Sequence, residues 1–391
     1  MRSSERRGSR VDATCAVGGV CWVLALPACF GSSDSGSAPD GGTDDMDASA
    51  DATPPDAGAT PIDATTTPVD ASPIDATSAD ASPLDVSNPD AASAPVGPGI
   101  YVTDYATNSV LVFALDASGN VAPTRTISGS STGMSGPIGI GVDSQGSVYV
   151  ANREGASVTV YPALADGNVA PVRTLTAQGM SAPEGIAVAP GDDVFVSTCP
   201  TCGGNEEGNI GIYHFPSQSS QTDRILGGAS NANTGLTVPG ALALDDSQDL
   251  VVGNSFGGTI EFFANAANGD VAPTSVFQPS TSNLQSIAYD DGTIFVTDPS
   301  AGVEQYVATD AGVVMPASTI PASAFPITYP AGMAIDTNAT PPVLYVVDFS
   351  ANAIYVAQTA GTPPNLTVAS VTTIAGDATT LNMPLGIAIV R

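Results

Sequence analysis

Two sets of acid or amide residues, one cysteine pair and one histidine are the groups in this chain whose types and spacing could do chemistry. Glu184 and Gln285 hold the same place in a recurring phrase, where Ile138, Gly240, Ala331 and Leu385 stand in the other copies. A carboxylate and an amide converging on one cleft are a beginning of a cation or sugar site. A second set is Asp104, Asn152, Asn254, Asp298 and Asp348, with Thr198 in the remaining copy; each ends a short apolar run. Such a ring could form a polar funnel for a cation or a sugar. Its repetition also fits a structural role, in which strand-end Asp and Asn accept hydrogen bonds from turn amides. Cys199-Pro200-Thr201-Cys202 is the one Cys-x-x-Cys pair. His214 is the single histidine, so Ser-His-Asp catalysis would have to pass through it. It lies in a strand pattern, Gly211–Phe215, where packing or solvation is the commoner fate.

The elements that must position these residues form a repeat. Pro137-Ile138-Gly139-Ile140-Gly141-Val142-Asp143 is followed by Ser147–Asn152, and related copies begin at Pro183, Pro239, Leu284, Pro330 and Pro384. The starts lie about 45 to 55 residues apart, with four short strands per unit, which is the signature of a β-propeller. In the second unit the strands read Gly139–Asp143, Ser147–Ala151, Ser157–Tyr161 and Ala170–Leu175. The ends are complementary. Gly99–Asp104 reads as a second strand with no first strand before it, and Met383–Val390 as a first strand with nothing after it. Pairing Leu385–Val390 with Ile100–Thr103 would close the ring and remove open edges. The expected fold is all-β, a six-bladed propeller over 99–391.

A second phrase supports the period: Gly119-Asn120-Val121-Ala122-Pro123, Gly167-Asn168-Val169-Ala170-Pro171 and Gly269-Asp270-Val271-Ala272-Pro273. Together with the Pro-x-Gly-Ile-Ala-Val starts, it resembles the NHL-repeat family of β-propellers. That family includes binding scaffolds, lyases and hydrolase-like relatives, so the resemblance implies a fold and leaves the activity open. A gluconolactonase-type metal site would need several carboxylates and amides at the channel mouth; here the inner positions supply only Glu184 and Gln285. The reading is therefore a binding or scaffold module with no cofactor or metal, the alternative being a gluconolactonase-like metal-dependent hydrolase or a propeller lyase.

The first 98 residues concern placement. Arg2, Arg6, Arg7 and Arg10 precede an apolar or small stretch, Ala13–Ala28, too short for a comfortable transmembrane helix. It ends Leu26-Pro27-Ala28-Cys29, which resembles the bacterial lipoprotein signal. That resemblance implies cleavage after residue 28, lipid on Cys29, and an exported protein of the cell envelope, in the outer membrane. In such a compartment Cys199 and Cys202 favour a local disulfide; a thioredoxin-like redox pair would want a helix start, and none is apparent. Residues 30–98 are Asp-, Ala-, Ser-, Thr- and Pro-rich, with thirteen Asp and no Arg. They cannot bury enough surface to offset ordering entropy and read as an extended tether. The propeller region has 24 acids and five Arg, and the whole chain carries a net charge of −30. That charge excludes nucleic acid as a partner, because polyanions are held by basic patches. A membrane, through Cys29, and a protein or carbohydrate ligand remain.

Overall fold

The computed structural model describes residues 97–391, apart from 177–179, 192, 200–207, 215–221, 229–230, 256–257, 281–283 and 309–314. The export segment, the tether before residue 97, Cys29 and Cys202 lie outside the described residues.

Six four-stranded antiparallel sheets follow the repeat. Blade 1 holds β1 (Gly99–Asp104), β2 (Ser109–Phe113) and β3 (Arg125–Ser128). Blade 2 is β4 (Pro137–Val142), β5 (Val148–Asn152), β6 (Ser157–Tyr161) and β7 (Arg173–Leu175). Blade 3 is β8 (Pro183–Val188), β9 (Val194–Thr198), β10 (Asn209–Tyr213) and β11 (Arg224–Leu226). Blade 4 is β12 (Pro239–Leu244), β13 (Leu250–Asn254), β14 (Thr259–Phe263) and β15 (Ser275–Phe277). Blade 5 is β16 (Ser286–Asp290), β17 (Thr293–Asp298), β18 (Gly302–Val307) and β19 (Met315–Pro321). Blade 6 is β20 (Pro330–Asp336), β21 (Val343–Asp348), β22 (Ala353–Ala360) and β23 (Thr367–Ala375). The last strand, β24 (Pro384–Val390), supplies the inner strand of blade 1, pairing Gly99 with Val390, Ile100 with Ile389 and Val102 with Ile387. The ring closes as the complementary ends predict.

The second strands are buried on both faces, which is why they read as unbroken apolar runs rather than alternating ones. Each apolar cluster lies between two adjacent blades. One packs Tyr101, Val110, Val112 and Ile127 of blade 1 against Ile140, Val148, Val150 and Tyr161 of blade 2. Another joins Ile100, Val102, Leu111 and Phe113 to Val343, Tyr345 and Val347 across the closing seam. Burying one such side chain stabilises by roughly 1.5–3 kcal/mol, against about 0.5–1.5 for a net hydrogen bond. Blade-to-blade packing therefore outweighs the strand ladders.

The repeated Pro-x-Gly has a steric cause. The inner strand carries an irregularity just after its proline, as at 137/140, 183/186 and 330/332. This presses the glycine against the next blade. A Cβ added at Gly139 would collide with the Glu184 carbonyl oxygen, and one at Gly386 with that of Ile138. The displaced N–H of Gly386 donates to the Thr103 hydroxyl (2.8 Å), and that of Gly185 to the Ser197 hydroxyl (2.8 Å).

The Gly-Asn/Asp-Val-Ala-Pro phrase is an interblade clasp. Gly119 bridges to Ile374, Gly167 to Ile127 and Gly269 to Leu226, each time onto the outer strand of the preceding blade. The residue after the glycine then accepts from that blade's exit loop: Asn120 from Ala378 N–H (2.7 Å), Asn168 from Ser131 N–H (2.7 Å), and Asp270 from Asn233 and Thr234 N–H (both 3.0 Å). This shortens the fourth strand of the second unit, since Ala170–Val172 belongs to the clasp approach and the strand starts at Arg173.

Gly139→Ala should lower stability by about 1–3 kcal/mol, because the next blade's backbone cannot give way. Urea denaturation checks this; an unchanged midpoint would show that the inner ring tolerates a methyl group.

Candidate active-face site

The inner strands begin, and the turns between second and third strands lie, on the same face of the ring. Five inner strands start from a proline there, and in each of those blades the residue after the second strand donates its backbone N–H to the residue before that proline. The pairs are Tyr105 to Met383 (3.1 Å), Arg153 to Gly136 (2.9 Å), Cys199 to Ala182 (3.2 Å), Ser255 to Val238 (2.9 Å) and Phe349 to Tyr329 (3.0 Å). This regular seam sets one rim of side chains just outside the inner positions.

The inner positions themselves are neighbours around the channel. Gly139 abuts Glu184, a Cβ on Gly185 would lie 2.6 Å from the Gly240 carbonyl, Gly332 abuts Leu385 and Gly386 abuts Ile138. Glu184 is buried, and Arg153 of blade 2 holds its Oε1 at 3.1 Å. Its other oxygen, Oε2, lies 3.4 Å from where a Cβ on Gly240 would be, and the Ser255 hydroxyl 3.0 Å from the same point. Gln285 is buried and hydrogen-bonded to the Tyr329 phenol, whose pKa is raised, chiefly by burial. Tyr329 stands edge-on to Phe349, ring centres 6.1 Å apart at 61°. In the adjoining blade 1 the Tyr105 hydroxyl donates to Glu154 of blade 2 (2.5 Å). The mouth thus pairs one neutralised carboxylate with an amide and a half-exposed aromatic edge.

The Asp/Asn ring is tied to the backbone. Asp104 accepts from Asn382 N–H (2.5 Å) and Thr107 N–H (3.2 Å). Burial raises its pKa, and those two amides oppose the shift. Asn152 accepts from Ser135 N–H (3.2 Å), and Asn254 from Thr237 (3.0 Å) and Val238 (2.9 Å). Asp348 accepts from Thr328 (2.5 Å), Tyr329 (3.0 Å) and Ala351 (2.8 Å). Asp298 accepts from Ser300 (2.5 Å) and Ala301 (2.9 Å), capping its own turn. All five are buried. Thr198 instead bonds to the backbone of Asn209 (3.2 Å). Four of these side chains cap the loop that delivers the inner strand of their own blade.

His214 sits on the opposite face, at the far end of β10. Its Nδ1 is 2.5 Å from Asp193, which also meets Arg224 at 3.5 Å. It does not approach Glu184 or Gln285. Cys199 is buried at the end of β9. On that same opposite face Asp143 and Asp245 cap the first turns of their blades through Ser147 (2.8 Å) and Asp249 (2.9 Å). Asp336 pairs with Arg391. Tyr289 is pushed up to about 12 by burial and by Asp246, to which it donates (3.1 Å). Among the described residues no group of three or more His, Cys, Asp or Glu side chains is placed to hold a metal ion.

Sequence reasoning missed Arg153, Ser255, Tyr329 and Phe349. Three of them follow directly after ring residues, and that +1 position was the available signal.

No protein-family model matches the chain, and no curated protein matches it. Solved structures do. A functionally unknown protein from Desulfotomaculum acetoxidans is 15% identical with a TM-score of 0.51, covering 75% of this chain and 99% of its own. A putative 6-phosphogluconolactonase from Bacteroides fragilis is 15% identical with a TM-score of 0.51, covering 77% and 86%. A chain in a nidogen/laminin complex is 16% identical with a TM-score of 0.52, covering 74% and 97%. At these identities the likeness is one of fold, a β-propeller.

Asp193 beside His214 raises the imidazole pKa, first by the hydrogen bond and then by its charge. The pairing therefore favours the folded state below the ordinary imidazole pKa and fades as pH rises through the raised one. As the only histidine, His214 should give one imidazole resonance titrating above the usual range, and Asp193→Asn should bring it back. An unshifted midpoint in the unaltered protein would refute the pairing.

Proposed function

We propose that this protein is an envelope-tethered binding module. In this reading Cys29 carries the lipid, residues 30–98 form the tether, and the propeller presents its mouth to a protein or carbohydrate ligand. The observation that carries it is the state of the mouth's charges. The one inner carboxylate, Glu184, is neutralised by Arg153, and the Asp/Asn ring is engaged by backbone amides. A hydrolase needs titratable groups that converge and stay available. What this mouth offers is contact, through the half-exposed Tyr329–Phe349 edge.

All five arginines of the propeller have partners within it. Arg125 donates to the Tyr101 hydroxyl (2.7 Å), Arg173 to that of Tyr149 (3.5 Å) and Arg224 to the Asn265 carbonyl (2.7 Å). Arg153 and Arg391 pair with Glu184 and Asp336. With no Lys in the chain and Arg153, Arg224 and Arg391 already facing carboxylates, the propeller has little positive charge to offer a polyanionic ligand, which supports a neutral or hydroxyl-rich one.

The second reading is metal-dependent lactone hydrolysis. It draws on the fold likeness to the putative 6-phosphogluconolactonase and on Glu184 as its one usable acid. A lactone and ester panel run with Ca²⁺, Mg²⁺, Mn²⁺ or Zn²⁺ should show no turnover. Turnover that disappears in Glu184→Gln would replace the binding reading with this one.

Placement is tested separately. Cys29→Ser should shift the protein from the membrane to the soluble fraction. Mass spectrometry finding an unmodified, uncleaved N-terminus would sink the lipid anchor.

A further inference from the structure

Resting on the binding reading above, we propose that Gly240 leaves a notch in the inner ring that seats one hydroxyl group of a neutral saccharide, between the Ser255 hydroxyl and Glu184 Oε2. Five blades carry a side chain at the second position of the inner-strand phrase: Ile138, Glu184, Gln285, Ala331 and Leu385. Blade 4 carries none. The fold does not require a glycine there. Gly240 is not among the glycines with a positive φ, so any residue could adopt its backbone. Nor is it pressed against a neighbouring blade's backbone, as Gly139, Gly332 and Gly386 are against the carbonyls of Glu184, Leu385 and Ile138. Among the described residues beyond its two chain neighbours, no backbone atom lies within 4 Å of where its Cβ would stand. What its missing side chain provides is space.

Two polar atoms wall that space. Ser255 Oγ lies 3.0 Å and Glu184 Oε2 3.4 Å from the vacant Cβ position. Ser255 is fully buried, and among the described residues its hydroxyl has no hydrogen-bond partner. Its backbone is fixed by the rim seam, where its N–H donates to the Val238 carbonyl (2.9 Å), so the hydroxyl is held at the notch. Gly240 itself is half-exposed, which leaves the notch open on the channel side. A buried hydroxyl without a partner has lost its water and gained nothing for it, and native proteins rarely leave such a group unsatisfied. A ligand group placed over Gly240 would supply the partner.

The walls select that group. Ser255 offers a donor, and the carboxylate oxygen of Glu184 accepts. An alcohol hydroxyl answers both, since it accepts from the first and donates to the second. A carboxylate or phosphate would set its charge against Glu184. A metal ion would meet a carboxylate already paired with Arg153 at 3.1 Å, and among the described residues no three acids converge to hold one. The neighbouring blades suit the body of a sugar. Gln285, next in the ring after Gly240, is bonded to the Tyr329 phenol, and Tyr329 and Phe349 present a half-exposed aromatic edge. Ala331 and Ile138 are half-exposed at their own inner positions. A mouth that is mostly apolar, with a few placed polar groups, matches a ring that carries hydroxyls on its rim and C–H groups on its faces.

The test is an NMR titration of the full chain carrying Cys29→Ser with neutral mono- and disaccharides of glucose, galactose, mannose and N-acetylglucosamine, and with Ca²⁺ alone. At least one sugar should bind saturably and shift the amide resonances of Gly240 and Ser255. Ser255→Ala removes the donor and should weaken that binding about tenfold. Gly240→Ala fills the notch and should weaken it at least as much. Both variants should melt as the parent does, because neither disturbs a backbone contact. Phe349→Ala removes the apolar edge and reports on the mouth as a whole. Sugar binding that falls in Phe349→Ala but persists in both notch variants would overturn the notch and leave the binding reading standing. Sugar binding that leaves the Gly240 and Ser255 amides unmoved would overturn the notch whatever the variants' stability. Ca²⁺ binding abolished by Ser255→Ala would replace the hydroxyl with a cation. Saturable binding of none of these sugars would also overturn the proposal, while a protein captured at the mouth would still support the broader reading.

Discussion

Everything in this structure depends on how closely six inner strands can approach around one axis. The limiting contact is a bare Cα against the carbonyl of the next blade, seen where Gly139 meets Glu184 and where Gly386 meets Ile138. Bringing backbones that near displaces an N–H from its ladder, and a hydroxyl on the adjacent second strand takes it up, as Thr103 does for Gly386. Where the small residue is Ser286, the same logic runs through its own side chain. Its N–H is taken by Thr297 (2.9 Å), and its hydroxyl accepts from Met333 N–H of blade 6 (3.1 Å). The repeated phrase is the written form of a steric requirement that each blade meets in turn.

That requirement also explains why so many polar groups near the mouth are unavailable for chemistry. An inner strand must be delivered at a fixed position, so its entry loop must be held. Asp104, Asn152, Asn254 and Asp348 hold it by accepting loop amides, and they are buried in doing so. A buried side chain that already accepts two or three loop amides has little hydrogen-bonding capacity left for a ligand. The arginines follow the same pattern on the outside. Arg224 reaches across to the Asn265 and Ala267 carbonyls of the next blade (2.7 and 3.2 Å), and Arg125 lies over the Tyr101 ring, 5.2 Å from its centre.

Much of the fold was legible because its causes are local and repeated. The period, the four strands per unit and the complementary ends all followed from apolar runs and turn residues, and β24 pairs with β1 as those ends require. The second phrase was legible as a repeat but not as a clasp. Its meaning lies in the parallel bridge from Gly167 to Ile127, a contact between units that spacing alone does not reveal. The candidate site was legible only by register. Placing Glu184 and Gln285 beside the channel needs just their place in the phrase. Pairing Glu184 with Arg153 needs the neighbouring blade's turn, 31 residues earlier in the chain, and the direction of a long side chain. Tyr329 and Phe349 were hidden for the same reason, since each belongs to a different element and they meet only through the seam between Phe349 N–H and the Tyr329 carbonyl.

The sequence variation among blades then acquires a physical reading. Blades whose incoming clasp contains Asn or Asp lock onto a neighbour through backbone amides, at the 6–1, 1–2 and 3–4 seams. The Asp version differs from the Asn versions in one respect. The amides of Thr234 and Asn233 hold the Asp270 carboxyl below its ordinary range, so this lock weakens as pH falls through that lowered value, while the Asn locks do not titrate. The 5–6 seam uses a different device, Gln305 reading both backbone groups of Leu366. It holds the turn of the longest hairpin in the ring, whose outer strand β23 carries no charge. A repeat protein whose blades were identical would present the same edge six times. Here the other edges are short, clasped or broken by proline, and β23, the longest, is clasped at one end by Gly119 and bulged at Ala369.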